Sequence, residues 1–193
     1  MLVLFRKELK DFLNNYKSWL FFLIMLTLVY IFRILAWKLD SEFFICFILM
    51  CVCQYLYDSY LTDTTSKGSI FLHNIDMRFF QVFVVKILFA LFQALVIVLV
   101  NTPYVVQHFS LADILWFLPL VVAIAAIMQL AMVFARGAEI ASALITTCII
   151  FAGVFLLLTL STLMRAGVTM AAAIILVRLA YRSFNSLRYR TQL

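Results

Sequence analysis

Between Lys86 and Asp113 the chain runs for 26 residues without a single formal charge. Two more such runs follow, 22 residues over 114–135 and 25 over 140–164. A helix crossing a bilayer at right angles needs about 20 residues at about 1.5 Å each, so each run is long enough alone. Three shorter runs complete the pattern: 15 residues over 18–32, 15 over 43–57 and 12 over 166–177. The first and last of these are bounded by Lys17, Arg33, Arg165 and Arg178, whose long stems can reach the headgroups from within the hydrocarbon. The expectation is six spans. They must be helices, because backbone in lipid has to satisfy its own hydrogen bonds and the runs are continuous rather than alternating.

A soluble fold is excluded by the same excess. The chain has 193 residues, 67% of them hydrophobic and 12% charged, whereas soluble domains are about half apolar and about a quarter charged. A chain of this length has too little interior to hide that much apolar surface. With four glycines and two prolines, little material is left for long ordered loops. One all-α, polytopic membrane domain over 1–193 is expected, comprising an amphipathic N-terminal helix (1–17), a polar loop (58–78) and a basic tail (178–193). The N-terminal stretch lacks a small-residue cleavage site after its apolar run, so it reads as retained.

Charge decides the sidedness. With six spans, twelve of the 15 basic residues fall on one face, among them Arg6, Lys7, Lys10, Lys17, Lys86, Arg136, Arg178 and Arg182. Arg33, Lys38 and Arg165 fall on the other. Positive charge collects on the cytoplasmic side, which places both termini and the stretch 57–86 there. Five spans would put the C-terminal arginines outside.

That stretch, YDSYLTDTTSKGSIFLHNIDMRFFQVFVVK, is the main polar interruption. A breaker cluster, TDTTSKGS, precedes Ser69, which can cap a short helix offering Ile70, Phe71 and Leu72 to a partner or to headgroups. Tail residues Arg178, Arg182 and Arg188 form a strip suited to anionic lipid.

Elsewhere the sequence is sparing. Cys46, Cys51, Cys53 and Cys148 lie in apolar runs without zinc-site spacing and read as small hydrophobic side chains. His73 and His108 fall on opposite faces. Arg136 and Glu139 suit a local pair in a short turn, and Asp113 suits a helix N-terminus. Gln54, Gln93, Gln129, Thr146 and Thr147 are the best-placed polar residues inside spans. Such groups seek partners in hydrocarbon, as interhelical glue or along a conduit. No ionisable residue lies near a span centre, which argues against a proton-coupled relay. Pro119 can bend the fourth span. There is no G-x-x-x-x-G-K-[ST] phosphate loop and no catalytic constellation, so no enzyme activity is expected of this chain.

The order of parts resembles the permease subunit of type-2 ABC exporters, nearest the haem exporter B branch of cytochrome c maturation. LFRKELKDF is similar to the basic amphipathic helix that such permeases carry before span one. In the loop, Asp58 and Asp63, then Gly68, Ser69 and Ile70, then Leu72, with Lys86 opening the next span, follow the family order. MVFARGAEIASALI looks like the Arg-Gly turn between spans four and five. Phe71 stands where the family has Glu, Asp76 stands near its Pro, and the Pro-rich run of span five is missing.

The resemblance implies a coupling helix between spans two and three, with Ser69, Ile70, Phe71, Leu72 and His73 docking on a separate ABC ATPase. Phe5, Leu9 and Phe12 of the N-terminal helix would lie beside that contact. It also implies a bacterial inner-membrane location and a second permease copy or homologue, as a homodimer for instance. No cofactor is expected in this chain; ATP and magnesium belong to the partner ATPase. The cargo would be hydrophobic or amphipathic. Two alternatives stay open. One is the substrate-binding subunit of an energy-coupling-factor vitamin importer. The other is a non-transporting membrane assembly or immunity protein.

Overall fold

The computed structural model describes residues 2–34, 41–64, 79–103, 105, 111–134 and 139–190. Among them no strand occurs, and seven helices carry the chain: α1 (Leu2–Asn14), α2 (Tyr16–Ile34), α3 (Ser41–Thr64), α4 (Phe79–Val100), α5 (Leu111–Phe134), α6 (Glu139–Leu158) and α7 (Thr162–Arg190). The loop residues Ser69, Ile70, Phe71, Leu72 and His73, together with Arg136 and His108, lie outside the described residues.

Three helices are long and apolar enough over their described residues to cross a membrane, at Phe44–Asp63, Phe80–Val100 and Thr162–Ser183. The pair α1 and α2 makes a fourth if counted as one bent span, and Leu115–Ala131 and Ile145–Leu158 are shorter apolar stretches. The fold is therefore a helical bundle compatible with a membrane-embedded protein.

Asn15 makes a sharp corner. Its N–H donates to Asp11 and its carbonyl accepts from Ser18 and Trp19, so one residue ends α1 and caps α2. The two helices meet at 84°, which lays α1 across one end of the bundle. Its Leu4 and Glu8 are buried, one turn apart on the covered face.

Contacts between helix ends show that successive helices reverse direction. At the α1 end lie the close of α3 and the start of α4, joined by ion pairs to α1. Tyr181 of α7 stacks on Phe80 of α4 at the same end, with ring centroids 5.4 Å apart. At the far end, Phe32 meets Phe47, and the Tyr30 hydroxyl donates to the Val100 carbonyl at 2.6 Å. There too the Arg165 guanidinium lies 5.7 Å from the Trp116 ring.

Charge spacing misplaced some helix ends. Read by charge alone, Arg165 is a boundary that leaves a last span of 12 residues. Instead α6 ends at Leu158 and α7 begins at Thr162, three residues before the arginine. Ser161 supplies the first helical carbonyl, to the Arg165 N–H at 2.9 Å. The Arg165 side chain turns back onto the carbonyls of Leu158 and Leu160, at 2.8 Å for Leu160. Those carbonyls are left over where α6 stops, and a guanidinium that serves them can enter a helix without ending it. At the other end, α3 runs on through Asp58 and Asp63 to Thr64, and α4 is already helical at Lys86. The described ends of the polar interruption are thus helix rather than loop.

The core gathers around α3. Leu49, Val52 and Leu56 are fully enclosed, packed with Phe89 and Ala90 of α4 and with Trp116, Val121 and Ala125 of α5. Small residues at Ala125 and Ala126 let α5 come close, the usual means of helix association where lipid offers no hydrophobic drive.

Candidate functional site

The apolar stripe of α1 contains a carboxylate. Leu4, Glu8 and Phe12 follow at intervals of four, which puts them on one helical face. Phe5 and Phe12 pack on Phe89, with centroids at 5.5 and 5.7 Å, and Phe12 also meets Phe22. These two rings are committed to the bundle, while Leu9 stays on the open side. Docking α1 in this way carries Glu8 into the interior, where it is 3% exposed.

A buried carboxylate needs a cation and hydrogen bonds, and Glu8 has both. Lys86 Nζ, wholly enclosed, lies 3.2 Å from Glu8 Oε1 and 2.7 Å from Asp63 Oδ2. Tyr55 and Ser59 donate their hydroxyls to Glu8 Oε2 at 2.9 and 2.5 Å. Lys86 also donates to the Ser59 hydroxyl oxygen, and its ammonium stands 4.8 Å from the Tyr60 ring centre, a cation–π distance. The Tyr60 hydroxyl passes the chain on to the Ala125 carbonyl and Gln129 Oε1 on α5, at 3.3 and 3.4 Å.

Lys7 closes the network from the rim. Its ammonium lies 2.8 Å from Asp63 Oδ1, 3.1 Å from Asp11 and 3.6 Å from Glu8. Burial works against this charge, but the Asp63 and Glu8 carboxylates outweigh it and hold the Lys7 pKa well above the ordinary lysine value. Lys7 is thus a cation at any physiological pH. Beside it, Asp58 accepts from Ser18 of α2 and from Gln54. A crevice of about 20 Å³ lies among Glu8, Ser18, Asp58 and Ser59, space for about one water.

Five helices are tied together here: α1 through Glu8 and Lys7, α2 through Ser18, α3 through Tyr55, Asp58, Ser59 and Asp63, α4 through Lys86, and α5 through Gln129. Asp63 and Lys86 stand on either side of residues 65–78. The chemistry is that of a clamp. The charges are paired with one another, and among the described residues no group of three or more His, Cys, Asp or Glu side chains could hold a metal ion.

The polar residues assigned to a conduit lie in different local settings. Gln54 and Gln129 serve the clamp through Asp58 and Tyr60. Gln93 is buried with neither its amide nitrogen nor its oxygen hydrogen-bonded among the described residues, and Thr146 is buried on α6. No hydrogen bond joins Gln93 or Thr146 to the other two among the described residues. Of the cysteines, Cys46, Cys51 and Cys53 are buried and Cys148 is exposed.

Sequence reasoning passed over Glu8, Tyr55 and Ser59. The legible signal was the carboxylate at the centre of an apolar stripe, since an acidic residue there must be neutralised by something across the interface. Comparison with known protein families, characterised proteins and solved structures found no match.

Proposed function

We propose that this chain is the permease subunit of an ATP-driven exporter, with six membrane crossings and with α1 lying along the cytoplasmic surface. Supporting the six crossings is the reversal of direction from α2 through α7, with α5 at 24 residues and α6 at 20. The cytoplasmic placement of both termini rests on the positive-inside bias, in a bacterial inner membrane. ATP hydrolysis, with its magnesium, belongs to a separate ATPase, and this chain itself catalyses no reaction. A second permease copy completes the pathway, and the cargo is hydrophobic or amphipathic.

One observation carries the reading. Asp63 and Lys86, the charged residues that bracket segment 65–78, are ion-paired to each other, and each is paired to α1. A force applied to that segment cannot move α3 without moving α4 and α1, because separating any of them strands a buried charge, at several kcal/mol. A coupling segment needs such a rigid base. Ser69, Ile70, Phe71, Leu72 and His73 would then dock on the ATPase, in line with the resemblance to type-2 ABC permeases.

The test is purification of the tagged chain from its native membrane in mild detergent, with mass spectrometry of stoichiometric partners. A phosphate-loop ATPase that cross-links directly to residues 69–73 is the expected result. In the reconstituted complex, replacing Phe71 and Leu72 with Asp then abolishes substrate-stimulated ATP hydrolysis while the chain still inserts. An ATPase bridged by a second, larger membrane protein favours the vitamin-importer reading instead. Recovery without any ATPase overturns transport by this mechanism.

A further inference from the structure

One groove on the bundle combines an apolar wall with a charged end. It runs between α5 and α7 with a volume of about 620 Å³. Leu118 and Val122 form one wall, Met170, Ile174 and Val177 the other, and Ala173 is the small residue at its base. The groove stops at the α1 end of the bundle, where Phe80 and Tyr181 stack and Arg178 lines the cavity. From Met170 to Tyr181 the rise is about 16 Å at about 1.5 Å per residue.

The wall residues are open to the outside: Ile174 is 64% and Met170 53% exposed. In a membrane this face meets hydrocarbon. Arg178 lies at the same end as the ion-paired α1, where the chain's charges gather. Arg182, one turn further on, is also exposed. Among the described residues neither arginine has a carboxylate partner. A slot suited to an alkyl chain, ending at Arg178 with Arg182 one turn beyond, complements an amphiphile with an anionic head.

We propose that this groove binds one anionic phospholipid, with an acyl chain between α5 and α7 and the phosphate on Arg178 and Arg182. The site stands independently of the transport reading. A second copy of the chain is a poor occupant. A twofold axis along the bundle would bring each arginine pair against its own image, and like charges would face each other with no carboxylate partner among the described residues. A lipid phosphate supplies the missing charge, and lipids of this kind collect in basic clefts between helices.

The experiment is native mass spectrometry of the full-length protein released from nanodiscs that hold phosphatidylglycerol and phosphatidylcholine of identical acyl chains. The expected result is one retained phosphatidylglycerol, preferred over phosphatidylcholine by about thirtyfold for two arginines near the surface. The exposed pair Arg178→Gln/Arg182→Gln loses that preference. Val177→Trp, checked for retained helicity, loses retention of both lipids because it blocks the chain slot. Excess inorganic phosphate leaves retention unchanged, since the acyl chain is half of the site. Equal retention of the two lipids by the unaltered protein overturns the proposal, as does an unchanged preference in the double arginine variant. Displacement by free phosphate does so too. So does efficient disulfide cross-linking of Ile174→Cys in a Cys148→Ser background, which would put a second copy on this face.

Discussion

Helices α3 and α7 are both long and apolar enough to cross a membrane, yet 67% of the α3 window is buried and 17% of the α7 window. Composition separates them little. What separates them is position. α3 packs against α1, α2, α4, α5 and α6, whereas α7 packs chiefly on α5 and turns the rest of its surface outward. The same residue types therefore do different work. An aliphatic side chain on α3 fills a space that no other group can fill, and one on α7 mostly replaces lipid. Charged residues differ in the same way. Asp63, near the close of α3, is locked into ion pairs, and Arg178 and Arg182 of α7 are left facing outward.

If that contrast is sound, the largest effect should come from the clamp that fixes the end of α3. Lys86→Met leaves Glu8 and Asp63 buried beside one remaining cation, Lys7. The expected loss is about 3–5 kcal/mol, read as a lowered unfolding midpoint in detergent. The double variant Glu8→Gln/Lys86→Met should recover part of it, because one stranded charge has gone. A Lys86→Met protein as stable as the parent would show that the α3 end is not held in this way.

A second, smaller effect compares the helices directly. Leu49→Ala on α3 opens a cavity in a fully enclosed site and should cost about 2 kcal/mol. This is the low end of the usual range, because in lipid the transfer term is largely absent and lost packing contacts remain. Leu163→Ala on α7, a residue 87% exposed, should stay within about 0.5 kcal/mol. Equal costs would mean that α7 is covered by something with shape, and would turn attention to a partner chain on that face.

The smallest effect is Ser59→Ala. It removes one hydroxyl from Glu8 while the Tyr55 hydroxyl and Lys86 remain, for a loss of about 1 kcal/mol. Measured in the Lys86→Met background, the same change should cost a different amount, because both groups act on one carboxylate.

How much could be read beforehand varies with the kind of question. The helical, lipid-compatible character was legible in the uncharged runs. Hydropathy adds up locally, and backbone in hydrocarbon has few solutions. Helix ends were less legible. Arg165 looked like a boundary because a charge in lipid is costly, but the leftover carbonyls of Leu158 and Leu160 give it a place inside the turn. Asp58 and Asp63 looked like loop residues for the same reason, and their partners on α1, α2 and α4 explain why helix continues through them.

Composition and charge order alone establish that the chain is helical and that it suits a bilayer. These are properties of residues taken one at a time or in short windows. The pairing of Glu8 with Lys86 spans 78 positions, and no window holds both. Whether a carboxylate on an apolar stripe is a flaw or one half of a clamp depends on what the fold brings opposite it. In this bundle that is settled by the corner at Asn15, which turns α1 across the end of α3 and α4 and carries Glu8 within reach of the lysine.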